Sequence, residues 1–198
     1  GVILSQILAG IAAMPDATAT LDAAALAAAL DRARVAAYSV VSAPKEGTIL
    51  SAIAASAHAA LLAASAGDDA LVTFAATVDA CAEAVARTPE QLPVLKEAGV
   101  VDSGAQGLFV LLDGMLRALR GDEQSGAIEA GAIDPAWLSA TRQMHGAHDA
   151  PGENSGFCTE YVITGDALDP DTIRRHLGEI GDSVLAVGGG DLVRVHVH

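Results

Sequence analysis

Aromatic side chains make up only 3% of this 198-residue chain, and it has a single tryptophan, Trp137. A core with so few large rings must be filled by smaller groups. Hydrophobic residues are 52% of the total and consist mostly of alanine, the strongest helix former. Closely packed helices are the expected result. Basic residues are scarce as well. Lys and Arg number 11 against 25 Asp and Glu, which leaves a formal net charge of -14 and a pI near 4.5. Such a chain lacks the basic patch that nucleic-acid binding needs, so no nucleic-acid partner is expected. The acidic excess reads as a solvated surface. The two cysteines, Cys81 and Cys158, are too few for a disulfide scaffold and point to a cytoplasmic setting. Cys81 lies in the alanine-rich run Val78 to Val85 and reads as a small core residue.

Long uncharged apolar runs are missing too. Mean hydropathy is +0.39, yet Gly, Pro or Asp interrupts the apolar stretches before the roughly 18 to 20 residues a membrane span requires. The richest run, Ile49 to Ala66, carries Ser51, Ser56, His58 and Ser65 and reads as a buried bundle helix. No basic region precedes an apolar stretch at the N-terminus, so no signal peptide is expected. There is no Walker-type Gly-Lys-Thr/Ser loop and no defensible Ser/His/Asp order. The chain opens inside an apolar periodic segment, Gly1 to Ser5, without a methionine. It closes at Val195 to His198, inside an expected strand. Both ends read as cuts in a longer protein.

What is present is helical over most of the length. Ile3, Ile7 and Ile11 mark one face of a helix from Val2 to Met14, broken at Pro15. The segment Thr20 to Asp22 offers an N-cap for a helix from Ala23 to about Ser42, and Pro44 to Gly47 is a break. Thr48 caps a helix to about Ala66, and another runs from about Ala70 to Arg87. Thr88-Pro89 ends that run and opens a short helix that stops before Gly99. A last helix spans about Gly104 to Leu119. Residues 1–121 thus form an antiparallel helical bundle or barrel, and the fold class is mainly α. Residues 122–154 read as a linker, with a helical patch around Trp137 to Met144 and a flexible run from Gly146 to Gly156. Residues 155–198 read as part of a small α+β domain. Its order is a strand at Phe157 to Ile163, a helix capped by Asp169 with Pro170 first, a strand at Ser183 to Val187, a turn at Gly188 to Asp191 and a strand from Leu192 to His198.

Three places can carry chemistry. In Leu95 to Gly107, three glycines surround Asp102, and the amides of the following helix suit an anion such as phosphate. A plain helix corner, with Gly104 and Gly107 giving only close packing, explains the same pattern. In Ala43 to Leu50, Gly47 before Thr48 places a hydroxyl and amides at a helix start, which is equally the description of an ordinary cap. His196 and His198, two apart on a strand, project to one face, and Cys158 can join them as a zinc-type ligand. The alternative for this third place is a pair of surface histidines. His58, His145, His148 and His176 have no matching partners and read as solvent or linker residues.

Several segments in order resemble one family. Gly1 to Gln6, Pro44 to Leu50 and Leu92 to Gly107 look like the L-subunit domain of dihydroxyacetone kinases, in the version found in bacterial fatty acid kinase A subunits. Gly156 to Tyr161, Gly181 to Ser183 and Val193 to His198 look like the middle domain of the same proteins. The resemblance implies a helical barrel that holds ATP through Mg2+. The parent enzyme would phosphorylate the carboxylate of a fatty acid presented by a separate carrier protein. Carried over by position, Gly1, Ile3, Thr48, Ile49, Asp102 and Gly104 would bind the nucleotide. Cys158, His196 and His198 match a Cys/His cluster that implies Zn2+. The family's magnesium-binding aspartates would lie before Gly1, so no catalytic residue is assigned within the chain, and the chain by itself is expected to be inactive. The alternatives are part of a small-hydroxyketone kinase, or a non-catalytic metal-binding or dimerisation module (a homodimer).

Overall fold

A computed structural model describes residues 2–13, 21–122, 157 and 159–198. The helices are α1 (Val2–Ala12), α2 (Ala23–Ser39), α3 (Ile49–Ala66), α4 (Ala70–Gln91), α5 (Pro93–Ala98) and α6 (Ser103–Arg120). The tail adds strand β1 (Thr159–Leu168), helix α7 (Pro170–Leu177) and strand β2 (Leu185–Val197). The chain is mainly helical, as expected, with its strands confined to the tail. The expected patch at Trp137 and most of the expected linker lie outside the described residues, as do Gly1 and Cys158.

Aspartates and glycines punctuate the helices. Asp22, Asp69 and Asp102 each accept from the backbone N–H three residues on, at 2.8, 2.8 and 2.7 Å. These caps satisfy amides that a helix start leaves unpaired. Gly67, Gly99 and Gly121 close α3, α5 and α6 in the left-handed conformation. Alanine then sets the spacing. Ala33, Ala37, Ala52, Ala57 and Ala60 are fully buried, and Leu30, Leu50, Ile53, Leu108 and Leu112 fill the space between the helices. Packing is closest where Gly10 of α1 meets α2: a Cβ on Gly10 would lie 2.5 Å from the Ala33 Cα. Cys81 is fully buried, as expected, and burial pushes its thiol pKa up.

Four expectations need correction. Helix α3 is 18 residues long with a mean hydropathy of 1.7, enough by length and composition for a membrane span, contrary to the reading of its serines and histidine. It packs instead against α2, α4 and α6 and supplies much of the core. Second, Thr88-Pro89 does not end α4, which continues to Gln91. Proline has no N–H to give the Val85 carbonyl, which normally makes a helix end or kink. Here the Thr88 hydroxyl donates to that carbonyl at 2.7 Å and supplies the missing bond. Third, α2 stops at Ser39, three residues short of the expected end. Fourth, the described tail contains two strands, not three.

In the tail, β1 and β2 pair antiparallel, with Glu160 opposite His196 and Val162 opposite Arg194. The two expected segments at Ser183–Val187 and Leu192–His198 belong to one strand, and the expected turn is a sharp bend within it. Gly188, Gly189 and Gly190 all have positive φ, and a Cβ on Gly188 would lie 2.3 Å from the Leu192 carbonyl oxygen. Only glycine fits such a bend. Helix α7, capped by Asp169 as expected, packs its Ile173 and Leu177 on Ala186, Val193 and Val195. One antiparallel bridge, Val41 to Leu185, ties the tail to the helical array just after α2.

Candidate functional site

Three helix starts converge on one cavity of about 600 Å3. Val2, Ile3 and Leu4 open α1, Thr48 and Ile49 open α3, and Asp102, Ser103 and Gly104 open α6. Each helix N-terminus carries about half a positive charge from its aligned peptide dipoles, so all three favour an anion in the shared space. The tail completes the wall with Glu160, Leu185 and His196. All five of the expected nucleotide-lining residues that are described (Ile3, Thr48, Ile49, Asp102 and Gly104) therefore face one cavity, although they are up to 101 positions apart, between residues 3 and 104. His196, expected at a separate metal site, lies on this wall as well.

The loop before α3 is held by a short polar chain. The Tyr38 hydroxyl donates to Glu46 at 3.1 Å, the Ser51 hydroxyl donates to the same carboxylate, and the Gly47 N–H donates to Ser51 at 2.8 Å. Burial, with Glu46 nearby, pushes the Tyr38 pKa up to about 12, so the phenol remains a donor at neutral pH. Gly47 has φ +79 and presses on the end of α4: a Cβ there would lie 2.9 Å from the Gln91 Cβ and 3.1 Å from the Thr88 carbonyl oxygen. The Thr48 hydroxyl accepts from the Leu50 N–H and donates to the Lys45 carbonyl, so it caps its own helix.

The second loop is fixed from the same place. The Asp102 N–H donates to the Thr88 hydroxyl at 3.0 Å, so Thr88 braces one wall while Gly47 leans on the same turn from the other. Asp102, expected on a loop that closes over a ligand, is instead the N-cap of α6, with its carboxylate engaged by the Ala105 N–H. The two glycines of that loop divide the packing and binding readings. A Cβ on Gly104 would lie 3.4 Å from the Ile49 Cβ, so Gly104 lets the starts of α3 and α6 approach. A Cβ on Gly107 would meet nothing within 4 Å, so packing does not account for that glycine, which borders the open cavity.

The histidines make a smaller cluster than expected. His196 Nδ1 lies 3.1 Å from Glu160 Oε1, and the His196 and His198 rings are 5.0 Å apart by centroid. His198 is not on the cavity wall. No group of three or more His, Cys, Asp or Glu among the described residues could hold a metal ion, and Cys158 lies outside them. No step is therefore derived through magnesium or zinc. Sequence reasoning misses the roles of Thr88, Ser51 and Glu160. Thr88-Pro89 does carry a signal, but locally it is the signal of a helix break. Glu160 carries none, since only the fold brings it beside residues more than 50 positions away.

Comparison with known proteins adds a family to this geometry. Residues 1–117 match the family model of the DAK2 domain, and residues 154–198 match that of the FakA-like middle domain of fatty acid kinases. The whole chain aligns with Protein YloV of Bacillus subtilis at 34% identity, covering 37% of that relative. It also aligns in full with uncharacterized proteins of Staphylococcus epidermidis at 33% and Staphylococcus saprophyticus at 32%, in each case covering 36% of the relative. The chain thus spans little more than a third of the length of the curated relatives it matches.

Proposed function

Because the chain belongs to the DAK2 domain family, with the match to the FakA-like middle domain following in its tail, we propose that the cavity binds ATP for a kinase that phosphorylates a fatty acid carboxylate. The observation that carries this reading is the convergence of α1, α3 and α6 on one space with their N-termini inward. Among the described residues no Lys or Arg lines that space, so oriented amides are what the wall offers to phosphate oxygens. Ile3 and Ile49 give apolar surface for a base. Thr48, Asp102 and Gly104 shape the phosphate side, and Gly1 extends the α1 wall. In the reaction, a carboxylate oxygen bonds to the terminal phosphorus as its bond to the bridging oxygen of ADP breaks, leaving an acyl phosphate. The acyl group would come from a carrier protein. The longer protein is the kinase in this reading, and a small-hydroxyketone substrate is disfavoured because the middle-domain match has no place in it.

The test is calorimetric titration of this chain with ATP. Saturable binding is expected, and its absence up to millimolar ATP would remove the nucleotide reading. Gly107→Ala sharpens the experiment. Alanine in place of a helical glycine should stabilise the fold by about 0.5–1 kcal/mol, and the added methyl finds no protein neighbour. The same methyl enters the cavity, so ATP should bind several-fold more weakly. Unchanged affinity in the stabilised variant would mean that Gly107 does not face the ligand.

Zinc on Cys158, His196 and His198 belongs to the same proposal. Glu160 orients the His196 ring as carboxylates orient metal-binding histidines. Bound zinc measured by elemental analysis should fall on Cys158→Ala, and an equal zinc content in both proteins would end that part of the reading.

A further inference from the structure

A second cavity, of about 500 Å3, adjoins the first and shares Val2, Glu160 and His196 with it. It lies between the first turns of α1 and the sheet, with Val162 and Val187 from the strands and Ser5 from α1 on its walls. Arg194 is the one Lys or Arg among its described lining residues. Arg34, Arg117 and Arg174 each sit within 2.8 Å of an aspartate, whereas Arg194 makes no ion pair or hydrogen bond among the described residues. The neighbouring carboxylate does not neutralise it: Glu160 is engaged with His196. Arg194 and His196 are two apart on β2 and so share a face, which brings the arginine beside the opening between the two cavities.

We propose that this second cavity is the acceptor compartment, in which Arg194 holds the carboxylate of a substrate whose apolar neck lies against the valines. Its role as acceptor rests on the nucleotide reading of the first cavity. An apolar pocket with a single permanent cation selects an anionic head on an apolar stem. The guanidinium fork matches a carboxylate with two parallel hydrogen bonds. A phosphate of the nucleotide offers the same oxygen chemistry, so the experiment must separate the two sources.

Decanoate, decanol and ATP are titrated separately into the wild-type chain, Arg194→Gln and Arg194→Lys. Decanoate affinity should fall about tenfold or more in Arg194→Gln, the loss expected for a charge-assisted hydrogen bond. Arg194→Lys should retain much of it, while decanol binding and ATP affinity stay unchanged in both. Thermal unfolding of both variants should match wild type, because the Arg194 side chain is exposed. Three results would overturn the proposal: no decanoate binding by wild type, equal decanoate affinity in Arg194→Gln, or a loss of ATP affinity in place of decanoate affinity. Decanoate held through Arg194 by a chain that binds no ATP would sink the nucleotide reading and leave the carboxylate site standing.

Discussion

Thr88→Val should destabilise the fold by about 3 kcal/mol, although valine and threonine have nearly the same shape. Thr88 is fully buried, and its hydroxyl donates to the Val85 carbonyl and accepts from the Asp102 N–H. Pro89 has no N–H for the Val85 carbonyl, so no backbone donor is available to replace the hydroxyl. Valine strands one acceptor and one donor, and each unsatisfied buried group costs about 1–3 kcal/mol. Thr88→Ser keeps both bonds and loses one methyl, worth about 1 kcal/mol. Urea unfolding of the two variants separates these cases, and a valine no worse than the serine would refute the bracing role. In the proposed nucleotide site, Thr88→Val should also weaken ATP binding more than Thr88→Ser does, since Asp102 loses its anchor while every lining side chain is unchanged.

Gly10→Ala is the second large effect, and its sign reverses the usual rule. Alanine normally stabilises a helix by about 1 kcal/mol over glycine. At Gly10 the new Cβ would lie 2.5 Å from the Ala33 Cα and 2.7 Å from its nitrogen, so the obstacle is backbone and cannot rotate aside. Helix α1 must move off α2, and overpacking of this kind costs about 1–3 kcal/mol. A net loss of about 2 kcal/mol is expected, with a larger loss for Gly10→Val. Gly114→Ala is the matched comparison: it is also helical, but a Cβ there meets nothing within 4 Å, and it should gain stability. Denaturant midpoints for the two alanine variants should therefore move in opposite directions. Equal shifts would mean that α1 is not seated on α2 as described.

The helical part is legible in the sequence because its signals are local. Asp22, Thr48 and Asp169 stand where caps are needed, and glycines follow the last turns of α3 and α6. Sequence and structure part where a distant or side-chain partner replaces the local rule. Proline predicts an end to α4 because no sequence rule includes a threonine hydroxyl serving the carbonyl that proline abandons. Three consecutive glycines make Gly188–Gly190 look like a separator between strands, whereas the backbone bends there and stays within β2. The cavity is partly legible. Ile3, Thr48, Ile49, Asp102 and Gly104 stand out through resemblance, and spacing alone leaves each as an ordinary cap or corner. Glu160 and Arg194 are beyond reach, since their neighbours are fixed by the pairing of β1 with β2 and by the bridge from Val41 to Leu185.

That bridge has a thermodynamic consequence. The cavity needs both the helix starts and the sheet, so a ligand touching both binds only molecules in which the tail is docked. Mass action then makes docking a function of ligand concentration, with a gain of RT ln(1 + [L]/Kd) that reaches about 2.7 kcal/mol at a hundredfold excess over Kd. Reciprocity requires that whatever pulls on the sheet from the far side of the tail alters ligand affinity by the same factor. The amides at Val41 and Leu185 are where this exchange would be read, as protection from hydrogen exchange that rises with occupancy.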